Sequence, residues 1–296
     1  MIAETPVDLS VITVTYCSEK HIERLIRSVQ KGCVSTSYEH IVVDNASKDD
    51  TLRLIHSFGN AVTCVANTQN LGFSAANLIG YQQAKGKYLL FLNPDMVVEE
   101  SSLDKIVDWM ETHPETGIAG CQLLDHVGKI NPQALPRRFP KISEQIAILL
   151  KLDKIFPHFL DRYLYKDRDF SQEQAVDSVR GSFMLMQRRF IDTLGWPFDP
   201  RYHIWFEDVD ICREAWKHGF SVMYTPVMRC YDAIGQSFQQ RDRRWRFRQY
   251  AQSLWRYLRK WEPLYIWCWV PMIYIPLAYA VGSNCFGWFS KKVKGH

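Results

Sequence analysis

Short strand-like runs alternate with helical patterns through the first hundred residues of the chain. Four runs rich in β-branched and other apolar residues have the length of buried strands, at residues 9–15, 40–43, 61–65 and 87–92. Between the runs, apolar residues recur every three or four positions, as they do from Ile22 to Val29. This alternation predicts an α/β fold with a Rossmann-like, mostly parallel sheet flanked by helices.

Polar residues stand where three of these strands end. Tyr16 and Asp44 follow the first two runs, and Asn93, Pro94 and Asp95 follow the fourth. Ligands of open α/β sheets bind beyond the carboxyl ends of the strands, so we expect these residues to converge on one crevice. Carboxylate and amide oxygens suit Mg²⁺ or Mn²⁺, which also bind water and substrate phosphates. The alternative is that each of them is an ordinary turn residue.

A second acidic group, Glu207, Asp208 and Asp210, precedes an amphipathic pattern that predicts a helix. Acids in a first turn ordinarily stabilise a helix through its dipole, which is the alternative interpretation for Glu207 and Asp210. Asp208 follows the aromatic pair Trp205 and Phe206, which would help to build a site around it. A carboxylate that faces a metal-bound phosphate is suited to remove a proton from a hydroxyl group.

The spacing of the cysteines bears on two questions: whether they bind a metal, and where in the cell the protein is found. They form no C-x-x-C pair and no His-rich cluster, and they are Cys17, Cys33, Cys64, Cys121, Cys212, Cys230, Cys268 and Cys285. This spacing excludes a zinc ribbon and argues against a redox dithiol. The first residues carry acids and a proline, where a secretion signal would need a basic start and a long apolar run. We therefore expect the folded part of the chain in the cytoplasm.

Residues 126–175 form a stretch with little periodicity, interrupted by Pro132, Pro136 and Pro140. Only an amphipathic run over 142–152 stands out. Long irregular inserts in a compact domain are usually functional or mobile. We expect this insert to cover the crevice as a lid, with a plain surface excursion as the alternative.

The end of the chain is strongly basic and rich in tryptophan. From Phe238 onward it has eleven Lys/Arg and two acids, whereas the preceding residues have 25 bases and 30 acids. Six of the ten tryptophans also lie in this tail. Basic and aromatic residues together fit a nucleic acid or a membrane surface, and the lack of a nucleic-acid-binding motif favours the membrane.

The tail contains two segments with different patterns. Residues 241–261 place apolar side chains at helical spacing with most arginines outside the stripe, which is typical of an interfacial helix. A helix packed on the rest of the protein is the alternative. Residues 264–289 carry no charge and are long enough to cross a bilayer, but prolines interrupt them and both flanks are basic. We favour a segment that dips into or lies on the inner leaflet over a true span or a buried core segment.

Six segments between residue 9 and about residue 220 occur in the order and at the spacing of a known family. They read VITVTY, VVDNAS, NTQNLGFSAAN, FLNPD, RGSFMLMQRR and FEDVDICREAWKHGF. In these segments the chain resembles family-2 inverting glycosyltransferases, which have the A-type glycosyltransferase fold. FLNPD, RGSFMLM and the later YDAIGQS are similar to bacterial rhamnosyltransferases of surface-polysaccharide assembly, which act on polyprenyl-diphosphate lipids.

The resemblance implies a nucleotide-sugar site. Its members would be Val14 and Tyr16 in the base pocket, Asp44 on the pyrimidine ring, Asn70, Gly72 and Phe73 on the nucleoside, Asn77 behind that loop, and Arg180 and Gly181 beside the sugar. Asn93 replaces the first acid of an Asp-x-Asp motif, and Asp95 would bind Mg²⁺ or Mn²⁺ on the diphosphate. Asp208 would be the general base, with Trp205 and Glu207 shaping the acceptor side.

Two positions depart from the family pattern. Cys17 stands where an Asn commonly follows the Tyr. Cys230, Tyr231 and Asp232 stand in a segment where many relatives carry a His. The second departure leaves the surroundings of the metal open, although not the type of reaction.

The resemblance implies a metal-dependent enzyme that transfers L-rhamnose from dTDP-L-rhamnose to a polyprenyl-diphosphate-linked GlcNAc, at the cytoplasmic face of a bacterial inner membrane. Residues 1–237 would form the catalytic domain, with 126–175 as its acceptor-side insert, and 238–296 a membrane-associating helical region. One alternative is a UDP-hexose-dependent transferase that acts on polyprenyl phosphate or a growing polysaccharide. The other is a non-catalytic scaffold that binds nucleotide sugars.

Overall fold

The computed structural model describes residues 7–232 and 242–262, which form nine strands and eight α-helices. The strands are β1 (Leu9–Thr15), β2 (Tyr38–Asp44), β3 (Thr63–Ala66), β4 (Tyr88–Leu92), β5 (Met96–Val98), β6 (Thr116–Leu124), β7 (Gln174–Ala175), β8 (Phe183–Gln187) and β9 (Ser221–Asp232). The helices are α1 (Ile22–Gly32), α2 (Thr51–His56), α3 (Phe73–Gln83), α4 (Ser102–Thr112), α5 (Ile142–Leu150), α6 (Arg188–Leu194), α7 (Glu207–Lys217) and α8 (Arg243–Trp261). Two short 3₁₀ turns, Gly59–Ala61 and Leu152–Lys154, complete the described elements.

The strands form one mixed sheet in the order β3-β2-β1-β4-β8-β6-β9-β5, with β7 paired to β9. The four predicted strands, β1 to β4, are parallel as expected. In the second half β8 runs antiparallel to both β4 and β6, and β5 and β7 run antiparallel to β9. Strands β6 and β9 are parallel to each other. The prediction of a mostly parallel sheet therefore holds for β1 to β4, whereas parallel and antiparallel pairs are mixed in the second half. The strand–helix alternation behind that prediction stops after β4, because β5 follows a turn of three residues.

An apolar core covers each face of the sheet. Successive residues of β4 alternate between the two cores, as side chains of a strand must. Leu90 and Leu92 pack with residues of α1 and α4, whereas Leu89 and Phe91 pack with residues of α6 and α7. Because helices bury both faces, the strand ends are the part of the sheet that is left to meet a ligand.

The insert over 126–175 is joined to the body at several points. Arg137 and Ser178 form an isolated β-bridge, and the Tyr165 hydroxyl donates a 2.7 Å hydrogen bond to Asp177. Tyr165 and Phe170 are buried in the core that also contains α6 and α7. The predicted amphipathic run forms α5. The base of the insert is therefore part of the domain core.

Helix α8 packs on the body of the protein. Its predicted apolar stripe packs against residues of α5 and of the segment that leads into α7. The stripe comprises Phe247, Tyr250, Ala251, Leu254, Leu258 and Trp261. Leu254, Tyr257 and Leu258 are almost fully buried there. The alternative interpretation, a helix packed on the rest of the protein, therefore holds for this stripe, which is not available to a membrane surface.

Within the described residues, no helix has the length and apolar character needed to cross a membrane. The predicted inner-leaflet segment, 264–289, lies outside the described residues.

Candidate functional site

A cleft lies at the carboxyl ends of β1, β2 and β4, where the sequence predicted it. It has two compartments, which share Phe73, Asn93 and Ile204 in their walls. The amide compartment is lined by the predicted residues Val14, Tyr16, Asn70, Gly72, Phe73 and Asn93, and also by Asn45, His203 and Trp245. The acidic compartment is lined by the predicted residues Asn93, Asp95, Arg180, Gly181, Trp205, Glu207 and Asp208, and also by Asp232.

Two predicted residues, Asp44 and Asn77, lie behind the walls of the cleft. Asp44 is fully buried, and its carboxylate accepts hydrogen bonds from the backbone N–H (2.9 Å) and the hydroxyl of Ser47. Asn77 is buried on α3 and donates a 3.0 Å hydrogen bond to the Phe73 carbonyl. Asp44 thus shapes the turn after β2, and Asn77 holds the first turn of α3.

Asn45 connects the end of β2 to the loop that precedes α3. Its side-chain oxygen accepts hydrogen bonds from the Asn67 amide (3.0 Å) and the Leu71 backbone N–H (3.2 Å). Its own amide group donates to the Gly72 carbonyl (3.0 Å). Nothing near Asn45 in the sequence indicates these partners, which lie more than twenty positions further along the chain.

Gly72 stands at a position that admits only glycine. Its φ of +89° lies in the left-handed region, and an added Cβ would lie 2.4 Å from the His203 ring and 2.8 Å from the His203 carbonyl oxygen. The neighbouring Phe73 backbone N–H donates a 2.8 Å hydrogen bond to that carbonyl. The start of α3 is therefore held against the 203 loop, and the amide compartment lies at this junction.

The tail helix α8 supplies part of the amide compartment. Trp245 lines it, with its ring centroid 5.7 Å from that of His203 in an edge-to-face arrangement. Planar aromatic walls of this kind can stack on a planar ligand ring or pack on the face of a sugar. The sequence analysis assigned this part of the chain to a membrane surface. No local pattern indicates that Trp245 reaches a pocket more than two hundred residues before it in the chain, at Val14 and Tyr16.

Asp208 lies in the first turn of α7, with its carboxylate held by backbone donors. One carboxylate oxygen accepts a 3.2 Å hydrogen bond from the Gly181 N–H, and the other accepts a 2.8 Å bond from the Val209 N–H. An added Cβ on Gly181 would lie 3.1 Å from the Cβ of Asp208, so the absence of a side chain at Gly181 permits this close approach. A carboxylate has about four acceptor positions, which leaves capacity for a ligand hydroxyl or water.

The turn that presents Asp208 is strained. Trp205 and Phe206 have φ values of +67° and +68°, a conformation that non-glycine residues rarely adopt. Helix α8 holds both rings, since Tyr250 lies 6.2 Å from Trp205 and 5.3 Å from Phe206 between ring centroids. Packing from the tail helix thus maintains the backbone geometry before Glu207 and Asp208.

Glu207 is a buried carboxyl group in the wall of the acidic compartment. It is 6% exposed, and within the described part of the chain its Oε2 atom has no hydrogen-bond partner. Burial, together with the charge of Asp208, raises the pKa of Glu207 well above its usual range. This shift favours the protonated form of Glu207, in which the carboxyl group can act as a hydrogen-bond donor.

Asp210, the third acid of the group, points away from the cleft into a buried ionic cluster. Lys260 on α8 places its Nζ 2.7 Å from Asp210 and 2.8 Å from Glu214, and the Trp261 indole N–H donates to Asp210 at 2.5 Å. The dipole interpretation of Asp210 is therefore incomplete, because its main contacts lie on another helix. These contacts fix the end of α8 to α7, the helix that carries Asp208.

The insert reaches the acidic compartment through a short turn. Asn131, Gln133 and Ala134 line this compartment. Arg180 holds the turn, because its Nε donates a 3.2 Å hydrogen bond to the Gln133 carbonyl. Part of the predicted lid therefore borders the cleft beside Arg180.

Asp95 and Asp232, which lie at the ends of two paired strands, are the candidate ligands for a divalent cation. Asp95 directly precedes β5, and Asp232 ends β9, where it pairs with Met96. Both line the acidic compartment. In residues 7–232 and 242–262, no three His, Cys, Asp or Glu side chains converge closely enough to hold an ion by themselves. Two carboxylates fit Mg²⁺ or Mn²⁺, which usually complete their coordination with phosphate oxygens and water.

A cleft at the carboxyl ends of the strands, with several polar groups in its walls, is where open α/β sheets bind small ligands. The family model "Glycosyl transferase family 2" matches residues 10–195, and the chain belongs to this family. The predicted family resemblance is thereby confirmed.

Three individual proteins of known activity are similar to this chain. The chain is 25% identical over 230 residues to the N-acetylglucosaminyl-diphospho-decaprenol L-rhamnosyltransferase of Mycobacterium tuberculosis, covering 74% of this chain and 73% of that protein. It is 24% identical over 262 residues to the rhamnosyltransferase WbbL of Escherichia coli, covering 84% and 92%. It is also 30% identical over 186 residues to the poly(ribitol-phosphate) β-N-acetylglucosaminyltransferase TarS of Staphylococcus aureus, covering 60% and 32%. The chain is thus similar to rhamnosyltransferases.

Solved structures agree on the fold. The mannosyltransferase PcManGT from Pyrobaculum calidifontis, in complex with GDP-Man and Mn²⁺, has a TM-score of 0.57 at 18% identity, covering 86% of this chain and 65% of that chain. TarS residues 1–349 in complex with UDP-GlcNAc have a TM-score of 0.56 at 17% identity, covering 80% and 62%. The chain therefore spans less than two thirds of each of these structures, and the likeness supports the predicted A-type glycosyltransferase fold.

Proposed function

We propose that the protein is a metal-dependent inverting glycosyltransferase that transfers L-rhamnose from dTDP-L-rhamnose to a polyprenyl-diphosphate-linked GlcNAc. The observation that carries the proposal is the position of Asp208, which shares one compartment with Asp95 while the amide compartment opens beside both. Two relatives that are rhamnosyltransferases, and that match most of this chain, support the choice of sugar.

In the proposed reaction the base and ribose of the donor occupy the amide compartment, against Tyr16, Asn70 and Phe73. The diphosphate reaches the acidic compartment past Asn93, where Asp95 and Asp232 would hold Mg²⁺ or Mn²⁺. The bound ion supplies positive charge that stabilises the leaving diphosphate. Arg180 would lie beside the transferred sugar, and its contact with Gln133 keeps the insert close to that sugar.

Asp208 acts as the general base of the proposed reaction. It takes the proton of the acceptor hydroxyl, whose oxygen forms a bond to the anomeric carbon while the bond from that carbon to the diphosphate oxygen breaks. Attack from the face opposite the leaving group inverts the configuration. The Gly181 and Val209 N–H groups orient the carboxylate for this step. Trp205 and Glu207 would shape the acceptor side.

The first test is a donor screen with the purified full chain and Mg²⁺ or Mn²⁺, in which release of the nucleoside diphosphate is measured for dTDP-L-rhamnose and for UDP-hexoses. The proposal expects a preference for dTDP-L-rhamnose, and transfer to lipid-linked GlcNAc when that acceptor is added. Binding of nucleotide sugars without turnover under any of these conditions would instead indicate a non-catalytic scaffold.

A second candidate keeps the mechanism and changes the donor. The similarity to TarS, an N-acetylglucosaminyltransferase solved with UDP-GlcNAc, favours a UDP-sugar as the alternative donor. Its acceptor would be polyprenyl phosphate or a growing polysaccharide. A clear preference for a UDP-sugar in the same screen would select this candidate.

The proposed acceptor fixes the proposed location. A polyprenyl-linked sugar is held in a bilayer, so the enzyme would work as a peripheral or re-entrant protein at the cytoplasmic face of the inner membrane. The division of the chain into a catalytic domain, 1–237, and a tail, 238–296, belongs to the same proposal. Limited proteolysis with mass spectrometry of the fragments tests that boundary.

A further inference from the structure

Four large apolar side chains are exposed within ten residues of the insert. Leu150, Ile155, Phe156 and Phe159 are 43%, 68%, 59% and 45% exposed. The other strongly exposed apolar residues of the described chain form no group of this size: Val127 and Ile130 lie three positions apart, and Val34, Trp216 and Val227 stand singly. Single exposed apolar residues are ordinary on a protein surface, whereas a local group of them indicates a contact site.

The segment 150–159 is a compact turn structure. It begins at the end of α5 and includes the 3₁₀ turn Leu152–Lys154. The Phe156 N–H donates to the Leu152 carbonyl (2.7 Å), and the Phe159 N–H donates to the Phe156 carbonyl (3.0 Å). The backbone is thus hydrogen-bonded within the segment while two phenylalanine rings remain in solvent.

Buried elements hold the segment at both ends. The preceding helix α5 packs on α8, where the Tyr250 hydroxyl donates a 2.8 Å hydrogen bond to Gln145. The following residue Leu160 is buried, as is Tyr165. The exposed apolar group is therefore a projection on a fixed base.

The sequence of segment 150–159 contains two lysines and one acid, Asp153. Lys151 and Lys154 are exposed within the segment. The nearby carboxylate of Asp161 forms an ion pair with Lys166 (2.7 Å). Apolar side chains flanked by lysines match the boundary between acyl chains and anionic headgroups.

We propose that segment 150–159 docks into the surface of an anionic phospholipid bilayer, with Ile155, Phe156 and Phe159 at the acyl boundary and Lys151 and Lys154 on lipid phosphates. The uncharged stretch 264–289 of this chain could cover the apolar group, but it offers no charge to the lysines. A second copy of the segment would bring lysines against lysines. An anionic membrane is the occupant that satisfies both the apolar and the charged side chains.

This surface goes beyond the proposed function and is independent of which sugar is transferred. It lies on the same insert as Gln133, which lines the acidic compartment. Docking at 150–159 would therefore hold the acceptor side of the cleft close to the bilayer. An acceptor whose lipid part stays in the membrane could then reach Asp208 without leaving it.

Amide hydrogen exchange of the full chain gives the direct test. The protein is incubated with vesicles of phosphatidylcholine alone, or of phosphatidylcholine mixed with phosphatidylglycerol, and peptides that cover 150–159 are followed by mass spectrometry. We expect slower exchange in this segment with the anionic vesicles, and no change around Val34. Protein that binds the vesicles through other parts of the chain, with unchanged exchange at 150–159, would overturn the proposal.

A pair of variants adds a quantitative test. Ile155→Ser combined with Phe156→Ser should lower partitioning into anionic vesicles about tenfold or more, because two apolar side chains leave the interface. The control, Val34→Ser with Val227→Ser, removes two exposed apolar side chains outside the insert and should bind like the parent. Equal binding of the two double variants would refute the assignment.

Soluble-donor hydrolysis separates this proposal from the proposed function. The variants change exposed side chains outside the cleft, so release of nucleoside diphosphate from a water-soluble donor should stay at the parent level. Unchanged hydrolysis with weakened vesicle binding supports the surface. Absent hydrolysis in the parent protein contradicts the proposed function while leaving the vesicle measurement interpretable.

Discussion

The two compartments of the cleft are built from different chemical groups. Neutral amides and aromatic rings line the amide compartment, for example Asn45, Asn70 and Trp245. Four acidic residues line the other one: Asp95, Glu207, Asp208 and Asp232. Neutral groups can recognise a base and a ribose without moving protons, whereas carboxylates can hold a cation and accept a proton. The contrast indicates that one set of residues recognises the donor and another set binds the cation and accepts the proton. Substitutions can test each set separately.

The largest effect is expected from Asp208→Asn. The amide cannot accept the acceptor proton, so kcat should fall by roughly 10²–10⁴-fold. Donor affinity, measured by calorimetry, should change little, because the amide compartment is intact. Asp210→Asn is unsuitable as a control, since buried Asp210 pairs with Lys260. Asp192→Asn on the surface serves instead, and normal turnover of the Asp208 variant would exclude Asp208 as the base.

Asp95→Ala should break the link between donor affinity and the cation. Loss of one of two carboxylate ligands should weaken Mn²⁺-dependent donor binding by about 10- to 100-fold. Binding of the nucleoside alone, which needs the amide compartment, should persist. The measurement is a donor titration with and without Mn²⁺, and identical affinities for parent and variant in both conditions would contradict the assignment of Asp95.

Trp245→Ala tests whether the amide compartment recognises the donor. Loss of a ring from the wall of the amide compartment should raise the KM for the donor by about tenfold, with a smaller change in kcat. Trp255→Ala is the matched control, because Trp255 is on the same helix and does not line the compartment. A change in kcat alone would show that Trp245 acts through the acidic compartment.

The smallest effect concerns the proton on Glu207. Burial raises the pKa of Glu207 in the folded state, so the folded protein binds a proton that the unfolded chain releases above its lower pKa. Stability conferred by that proton is present at low pH and is lost as pH rises towards the folded pKa, with a slope of up to about 1.4 kcal/mol per pH unit.

Glu207→Gln keeps the shape and removes the titration. Its stability should therefore decline less than that of the parent between pH 5 and pH 8, as measured by urea unfolding. Turnover near neutral pH should remain within a few fold of the parent, because the amide can still donate a hydrogen bond. Parallel stability curves for parent and variant would mean that Glu207 titrates normally in the folded protein.

The parts of the fold that the sequence predicted are those with local signals. Strands β1 to β4 are short apolar runs that end in polar residues, and their parallel pairing followed from the helices between them. The antiparallel insertion of β8 between β4 and β6 has no such signal, because pairing between distant strands depends on tertiary packing. The same reason explains why the apolar stripe of α8 was interpreted as a membrane face.

The site divides in the same manner. Asp95 and Asp208 lie in motifs that a sequence displays, and the structure brings both to one compartment. Asn45 and Trp245 act through contacts with residues far away in the chain, and their own neighbours in the sequence give no indication of them. Asp232 was noted as a departure from a His-containing pattern, but only its pairing with Met96 reveals that it adjoins Asp95.

The packing of α8 on the body has a consequence for how the protein is made. Chains fold as they leave the ribosome, with N-terminal parts first. The whole sheet is available once residue 232 has emerged, whereas Trp245 and Lys260 emerge later. The nascent chain can therefore bury its core before it has a complete cleft. Its aromatic wall, and the ionic contacts that fix α7, are added last, so a prematurely ended chain would be a folded sheet with an open and poorly anchored site.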